Sequence, residues 1–181
     1  MRRGALITLT LAALGFWASI PPVRAAGPAP QLDEAMVRQF VQDANSDQYY
    51  SVAYRTGNTD ILRESWGGEA LLTMQDDIAN LRFAGQYLDP QLEGMDFERI
   101  EELGPGRIRV VTVERWLARL YQIGGTYLGY QRQTVENRYL LARDGDQWHI
   151  IEADQDIRGG DPVFRPGEPD QGPAPGGQGA Q

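Results

Sequence analysis

The chain contains no cysteine and no lysine, and only one histidine, His149. Without cysteine there are no disulfides, thiol nucleophiles or thiolate metal sites, and no lipidated cysteine to act as an anchor. Without lysine there is neither a Schiff-base amine nor the lysine of a phosphate-binding loop. One histidine cannot form a zinc cluster, and any Ser-His-Asp arrangement would depend on His149 alone. No metal site is expected. No glycine-rich loop opens a helix, so nucleotide binding has no motif behind it. No cofactor is expected either, and no internal repeat is visible.

The first residues read as an address. Arg2 and Arg3 precede an uncharged run, Ala5 to Ile20, followed by Pro21-Pro22 and the small-residue pattern Val23-Arg24-Ala25. As a helix that run would span roughly 24 Å, short of the roughly 30 Å hydrocarbon core. We therefore expect residues 1–25 to be a cleaved signal peptide and the protein to be secreted or periplasmic, with no stable membrane span after processing. The alternative is an anchor formed by the uncleaved segment. Removing Arg2, Arg3 and Arg24 moves the formal charge from −8 to −11, with 14 arginines against 25 acids. So acidic a surface repels phosphate backbones, and no nucleic-acid partner is expected.

Residues 26–31 form a short spacer, and 158–181 are dominated by Gly, Pro and Gln. Only Val163 and Phe164 in that terminal stretch can bury much, which predicts a disordered tail. Between them, residues 32–157 are the size of one domain with one core.

The domain begins with helical periodicity. Leu32, Ala35, Met36, Val37, Phe40, Val41 and Ala44 recur at spacings of three and four. Asn58 or Thr59 can cap a short second helix reaching Trp66. A third spans Glu69 to Phe83, with Leu71, Leu72, Met74, Ile78, Leu81 and Ala84 as its stripe and Gly85 as its stop. Strand-like runs follow: Phe97 to Leu103, Arg107 to Tyr121, Thr126 to Arg143 and Gln147 to Asp156. Short turns join them, so an antiparallel meander is expected, bent by a bulge near Gly129. Helices first and a curved antiparallel sheet second make an α+β class.

The most specific local signal is Asn137 to Ile151, where two apolar runs face each other across Asp144-Gly145. A type I′ turn centred on those two residues would place Leu141 opposite Trp148 and Tyr139 opposite Ile150. Period-two alternation would then put Asn137, Glu152 and Asp154 on the same covered face, with Glu136, Arg138 and His149 pointing away.

This hairpin, Tyr139-x-Leu141-x-x-Asp144-Gly145-x-x-Trp148-x-Ile150, following three helices and a curved sheet, resembles the nuclear transport factor 2-like, or SnoaL-like, α+β cone superfamily. The stretch from Asn58 to Trp116 with the closing hairpin is also similar to the intermembrane-space domain of chloroplast and cyanobacterial division proteins. The resemblance implies a sheet of about four strands closing over helices around a cavity. It also implies one of two uses, as a small isomerase, dehydratase or cyclase or as a binding or dimerisation module.

On the residues alone, Glu152 and Asp154 are the candidate general bases. A carboxylate in an apolar cone is disfavoured as an anion and so gains affinity for a proton. Asn137 could then donate to a developing oxyanion. The same acids can instead sit at the rim or pair with Arg115 or Arg119. Trp66, Trp116, Tyr127, Tyr130, Tyr139 and Trp148 are the candidate ligand-lining aromatics. The expected function is an exported non-catalytic module that binds a small apolar ligand or a protein partner, with homodimerisation through the open sheet face and a place in a cell-envelope assembly as further possibilities. The alternative is a cofactor-free isomerase or lyase using a pocket carboxylate.

Overall fold

The computed structural model describes residues 33–161 and 163–166; the expected leader and spacer and most of the expected tail lie outside them. Helix α1 (Glu34–Ala44) begins at Asp33, whose Oδ1 accepts the Met36 amide at 2.8 Å and so satisfies one of the free donors of the first turn. A π-helical turn (Asp47–Ser51) leads into α2 (Val52–Thr56), a segment with no periodic signal long enough to be read beforehand. The short helix expected to end near Trp66 is a 3-10 turn (Asp60–Glu64), and α3 (Gly68–Phe83) ends as anticipated beside Gly85. In α3, Ala70, Leu71, Met74 and Ile78 are buried, but Leu72 is 62% exposed and does not belong to the core stripe.

Four strands form one antiparallel meander in the order β1 (Gln86–Gly104), β2 (Arg107–Gln122), β3 (Tyr127–Asp144) and β4 (Gln147–Gly160). β1 starts eleven residues before Phe97, where its strand was expected to begin. Asp89-Pro90 and Gly94 look like loop residues, yet an edge strand tolerates proline because one row of its amides has no neighbour. The sheet bends at bulges. Extra residues fall at Glu93, Glu98 and Leu103 in β1, at Leu128 beside Gly129 in β3, and at Ile151 and Arg158 in β4. Bulges increase local twist, and the sheet closes over the helices as a result.

The closing hairpin differs from its expected register. Asp144 pairs with Gln147, so the two-residue loop is Gly145-Asp146. Of the two loop residues only Gly145 takes a positive φ, +60°, and among the described residues no non-glycine residue does. That is the II′ pattern with glycine first, and it avoids forcing an aspartate into left-handed backbone. Leu141 therefore faces Ile150, and Trp148 faces Arg143.

The bulge at Ile151 then exchanges the faces of β4. Beyond it Leu140 pairs with Glu152 and Tyr139 with Ala153, so Ala153 and Gln155 join the helix-covered face while Glu152 and Asp154 turn away. The expectation that Glu152 and Asp154 share a face with Tyr139 is thus corrected by one inserted residue, because side-chain direction has a period of two.

The core lies between the helices and this inner face. Val37, Val41 and Ala44 of α1 and Met74 and Ile78 of α3 meet Ile108, Val110, Leu141 and Ile150 of the sheet. Ser65 and Gly67 also cover the β4 edge at Ile150 through backbone bonds of 2.9 Å each, which removes an open pairing site. The expected domain boundary after Ile157 falls inside β4. Arg158 pairs with the buried Glu136, Asp161 donates its amide to Arg132 at 2.8 Å, and Arg165 exchanges two backbone bonds with Tyr130. The first part of the expected tail is therefore laid along β3.

Candidate functional site

The alternation of β2 positions the key residue. Ile108, Val110, Thr112, Glu114 and Trp116 all point inward, as their partners Leu141, Tyr139, Asn137, Val135 and Gln133 do on β3. Four of these ten are the components of a polar cluster inside an otherwise apolar layer, and Trp116 adds its indole N–H. Glu114 is fully buried, at 0% exposure. One of its carboxylate oxygens accepts Thr112 Oγ1 at 2.6 Å and the Tyr139 hydroxyl at 2.8 Å. The other accepts Trp116 Nε1 at 2.8 Å and Asn137 Nδ2 at 2.7 Å. A carboxylate offers about four acceptor positions, and all four are used. No arginine pairs with Glu114 among the described residues.

The cluster extends to the helical layer. Asn45, at the end of α1, donates Nδ2 to the Tyr139 oxygen at 3.3 Å and to the Val41 carbonyl at 3.1 Å. Burial first, and the Glu114 charge second, hold the Tyr139 hydroxyl well above the ordinary tyrosine range. The linkage has a definite sign. Above about pH 10 an unfolded chain loses the tyrosine proton while the folded one keeps it, so stability falls as pH rises past that point. Urea midpoints should stay flat from about pH 7 to 9 and then drop above about pH 10, and Tyr139→Phe should shrink the drop.

Beside this cluster lies a cavity of about 300 Å³. Tyr50, Tyr54, Trp66, Trp116 and Tyr139 supply aromatic walls, with Tyr50 centroids 5.1 Å from Tyr54, 5.4 Å from Trp116 and 6.3 Å from Trp66. Leu88, Pro90, Ala118, Met74 and Phe164 add apolar surface, and Gln131, Gln133, Gln155 and Asp77 line it with polar groups. Phe164 arrives there on the terminal segment that pairs with Tyr130. Partial burial, and after it the neighbouring Asp76, hold the Asp77 carboxyl above its ordinary range.

Of the six aromatics expected to line a pocket, the structure brings Trp66, Trp116 and Tyr139 together. Tyr127 sits against Tyr121 at 5.4 Å, in a row with Tyr87, and Tyr130 pairs across the sheet with Arg119; both lie on the other face. Trp148 packs on the core near the hairpin, opposite Arg143 and away from the cavity. Asn137 is inside the cone, but its amide nitrogen donates to Glu114. Glu152 and Asp154 border a second, highly charged hollow of about 700 Å³ on the outer face, with Arg99, Arg109, Arg138 and Arg158. The arginines first considered as their partners are engaged elsewhere, Arg115 with Asp96 at 2.7 Å and Arg119 with Gln91 at 3.2 Å. His149 faces away from Ile150, as expected, but pairs with Ala142 and borders a small groove with Gly67 and Arg63. No group of three or more His, Cys, Asp or Glu side chains is placed to hold a metal ion among the described residues.

Comparison with known proteins is informative at the level of structure. No family model matches the chain, and no curated protein sequence matches it. Among solved structures, it is similar to the intermembrane-space region of the chloroplast protein ARC6, with a TM-score of 0.61 at 18% identity over 70% of this chain and 98% of that one. It is also similar to a type 2 hexachlorocyclohexane dehydrochlorinase, LinA, with a TM-score of 0.52 at 14% identity over 78% of this chain and 98% of that one. The type 3 enzyme from Novosphingobium barchaimii LL02 gives 0.50 at 14% identity, over 73% and 93% of the two chains. Helices followed by a curved four-stranded antiparallel meander are the α+β cone expected from the sequence, and this chain shares that fold with these proteins.

Proposed function

We propose that this chain is a non-catalytic binding module whose cone takes a small, largely apolar or aromatic molecule, or an apolar group presented by a partner protein. One observation carries the reading. Of the two carboxylates on the cavity wall, Asp77 is exposed to solvent, and Glu114, the buried one, has each acceptor position occupied by a protein donor, so it has none left to receive a substrate proton. General base catalysis requires a free lone pair within hydrogen-bond reach of that proton. The isomerase or lyase alternative relied on Glu152 and Asp154, which face the outer hollow, and on Asn137, whose nitrogen is engaged. A cavity of this size, with an aromatic wall and polar groups opposite it, suits capture of a small molecule.

Tryptophan fluorescence tests the proposal, because Trp66 and Trp116 line the cavity. Titration with a panel of small aromatic, carbonyl and steroid-like compounds should give saturable quenching without turnover. Ala118→Phe, which fills the cavity from β2, should abolish the quenching and leave the fold intact. Turnover of any panel compound would reverse the reading. Export through residues 1–25 belongs to the same proposal, and among the described residues no helix is long and apolar enough to cross a membrane. Intact mass of the protein recovered from its native cell envelope fraction should correspond to a chain beginning at Ala26.

A further inference from the structure

We infer that the ligand of the cone is an organic cation, specifically a quaternary or fully substituted ammonium group carrying an apolar body. This rests on the binding reading above and adds the charge of what is bound. The cavity wall contains two carboxylates, Glu114 and Asp77, and no arginine, although the chain has 17 arginines and many lie on the opposite face of the same sheet. Glu114 is a buried acid stabilised only by neutral donors, so its negative potential is uncompensated within the cone. A buried charge with no countercharge attracts a cation far more strongly than the same charge in water.

The aromatic geometry points the same way. Tyr50 lies between Tyr54 and Trp116, at centroid distances of 5.1 and 5.4 Å, with Trp66 behind it at 6.3 Å. These rings pack on one another as a continuous aromatic wall of the cavity, and the ring faces of such a wall attract cations, substituted ammonium groups among them, through their quadrupoles. Substitution matters here. A primary ammonium brings three N–H donors that need acceptors, and Glu114, the buried acid beside the rings, has no position left for them, so they would have to be met by Asp77 and the wall glutamines. A quaternary ammonium donates nothing, so ring faces and a nearby, already satisfied carboxylate meet all its needs. The acidic chain, at −8, further favours cation approach.

The test compares phenyltrimethylammonium with tert-butylbenzene, its neutral carbon isostere, binding to the purified full-length protein by equilibrium dialysis and tryptophan quenching. The cation is expected to bind at least about tenfold more tightly. Glu114→Gln should remove most of that preference. Because this substitution can also disturb folding, Asp77→Asn provides a second reading: it should weaken the cation several-fold and leave the neutral isostere unchanged. Equal affinities for the two probes would overturn the inference while leaving the binding module in place. Preference for the neutral probe would overturn it as well. Failure of both probes to bind, with Ala118→Phe indistinguishable from the parent, would overturn the inference and the binding module together.

Discussion

Glu114→Leu is expected to destabilise the domain by about 4 kcal/mol or more, and in a marginal background to prevent folding. Leucine fits the space but accepts nothing, which strands four donors from Thr112, Trp116, Asn137 and Tyr139. Each buried donor left without a partner costs about 1–3 kcal/mol, and water entering from the adjacent cavity offsets part of the total. Tyr139→Phe, which removes one donor and leaves Asn45 Nδ2 its bond to the Val41 carbonyl, should cost only about 1–2 kcal/mol. Urea denaturation of both variants beside the parent would decide it. A loss below about 1 kcal/mol for Glu114→Leu would mean that the carboxylate is not part of the framework.

The second large effect separates two neighbours on β4. Ile150 is completely buried against Leu141 and bonded to Ser65 and Gly67 on its outer edge, so Ile150→Ala should cost about 3–4 kcal/mol through lost transfer energy plus the cavity left behind. Trp148 is half-buried and pairs with Arg143, whose stem can close over the gap. Trp148→Ala should therefore cost about 1–2 kcal/mol despite the larger side chain. Thermal melts of the two variants check the order. The reverse order would imply that the hairpin pairs Trp148 with Leu141 after all.

That pair of residues also shows what the amino-acid pattern can and cannot reveal. Apolar periodicity in α1 and α3 and the presence of a tight turn at Gly145 were legible, and with them the α+β order and the antiparallel meander; α2 and the register of the closing hairpin were not. The face of Glu152 and Asp154 was not. Alternation predicts it only in an uninterrupted strand, and whether an edge strand bulges at Ile151 depends on the twist of the whole sheet rather than on local sequence. Glu114 did have a signal: it sits in phase with Ile108, Val110 and Thr112 on an inward face. A lone acid at an apolar position is informative only once the donors meant for it are known, and Asn137 and Tyr139 lie 23 and 25 positions away on another strand. The start of β1 was hidden for a different reason, since Asp89, Pro90 and Gly94 have poor strand propensity and are held there by pairing with Ala118 and Arg115.

The bonds from Asn45 through Tyr139 to Glu114 and on to Asn137 join the end of the first helix to the two central strands. Each of these side chains is fixed before anything enters the cone. A guest therefore meets a wall whose rotamers are already frozen, and the entropy of ordering that wall has been lost during folding rather than at association. Such preorganisation shows itself kinetically. Release should be slow for a guest that matches the shape, and empty and occupied forms should superimpose closely on the sheet side.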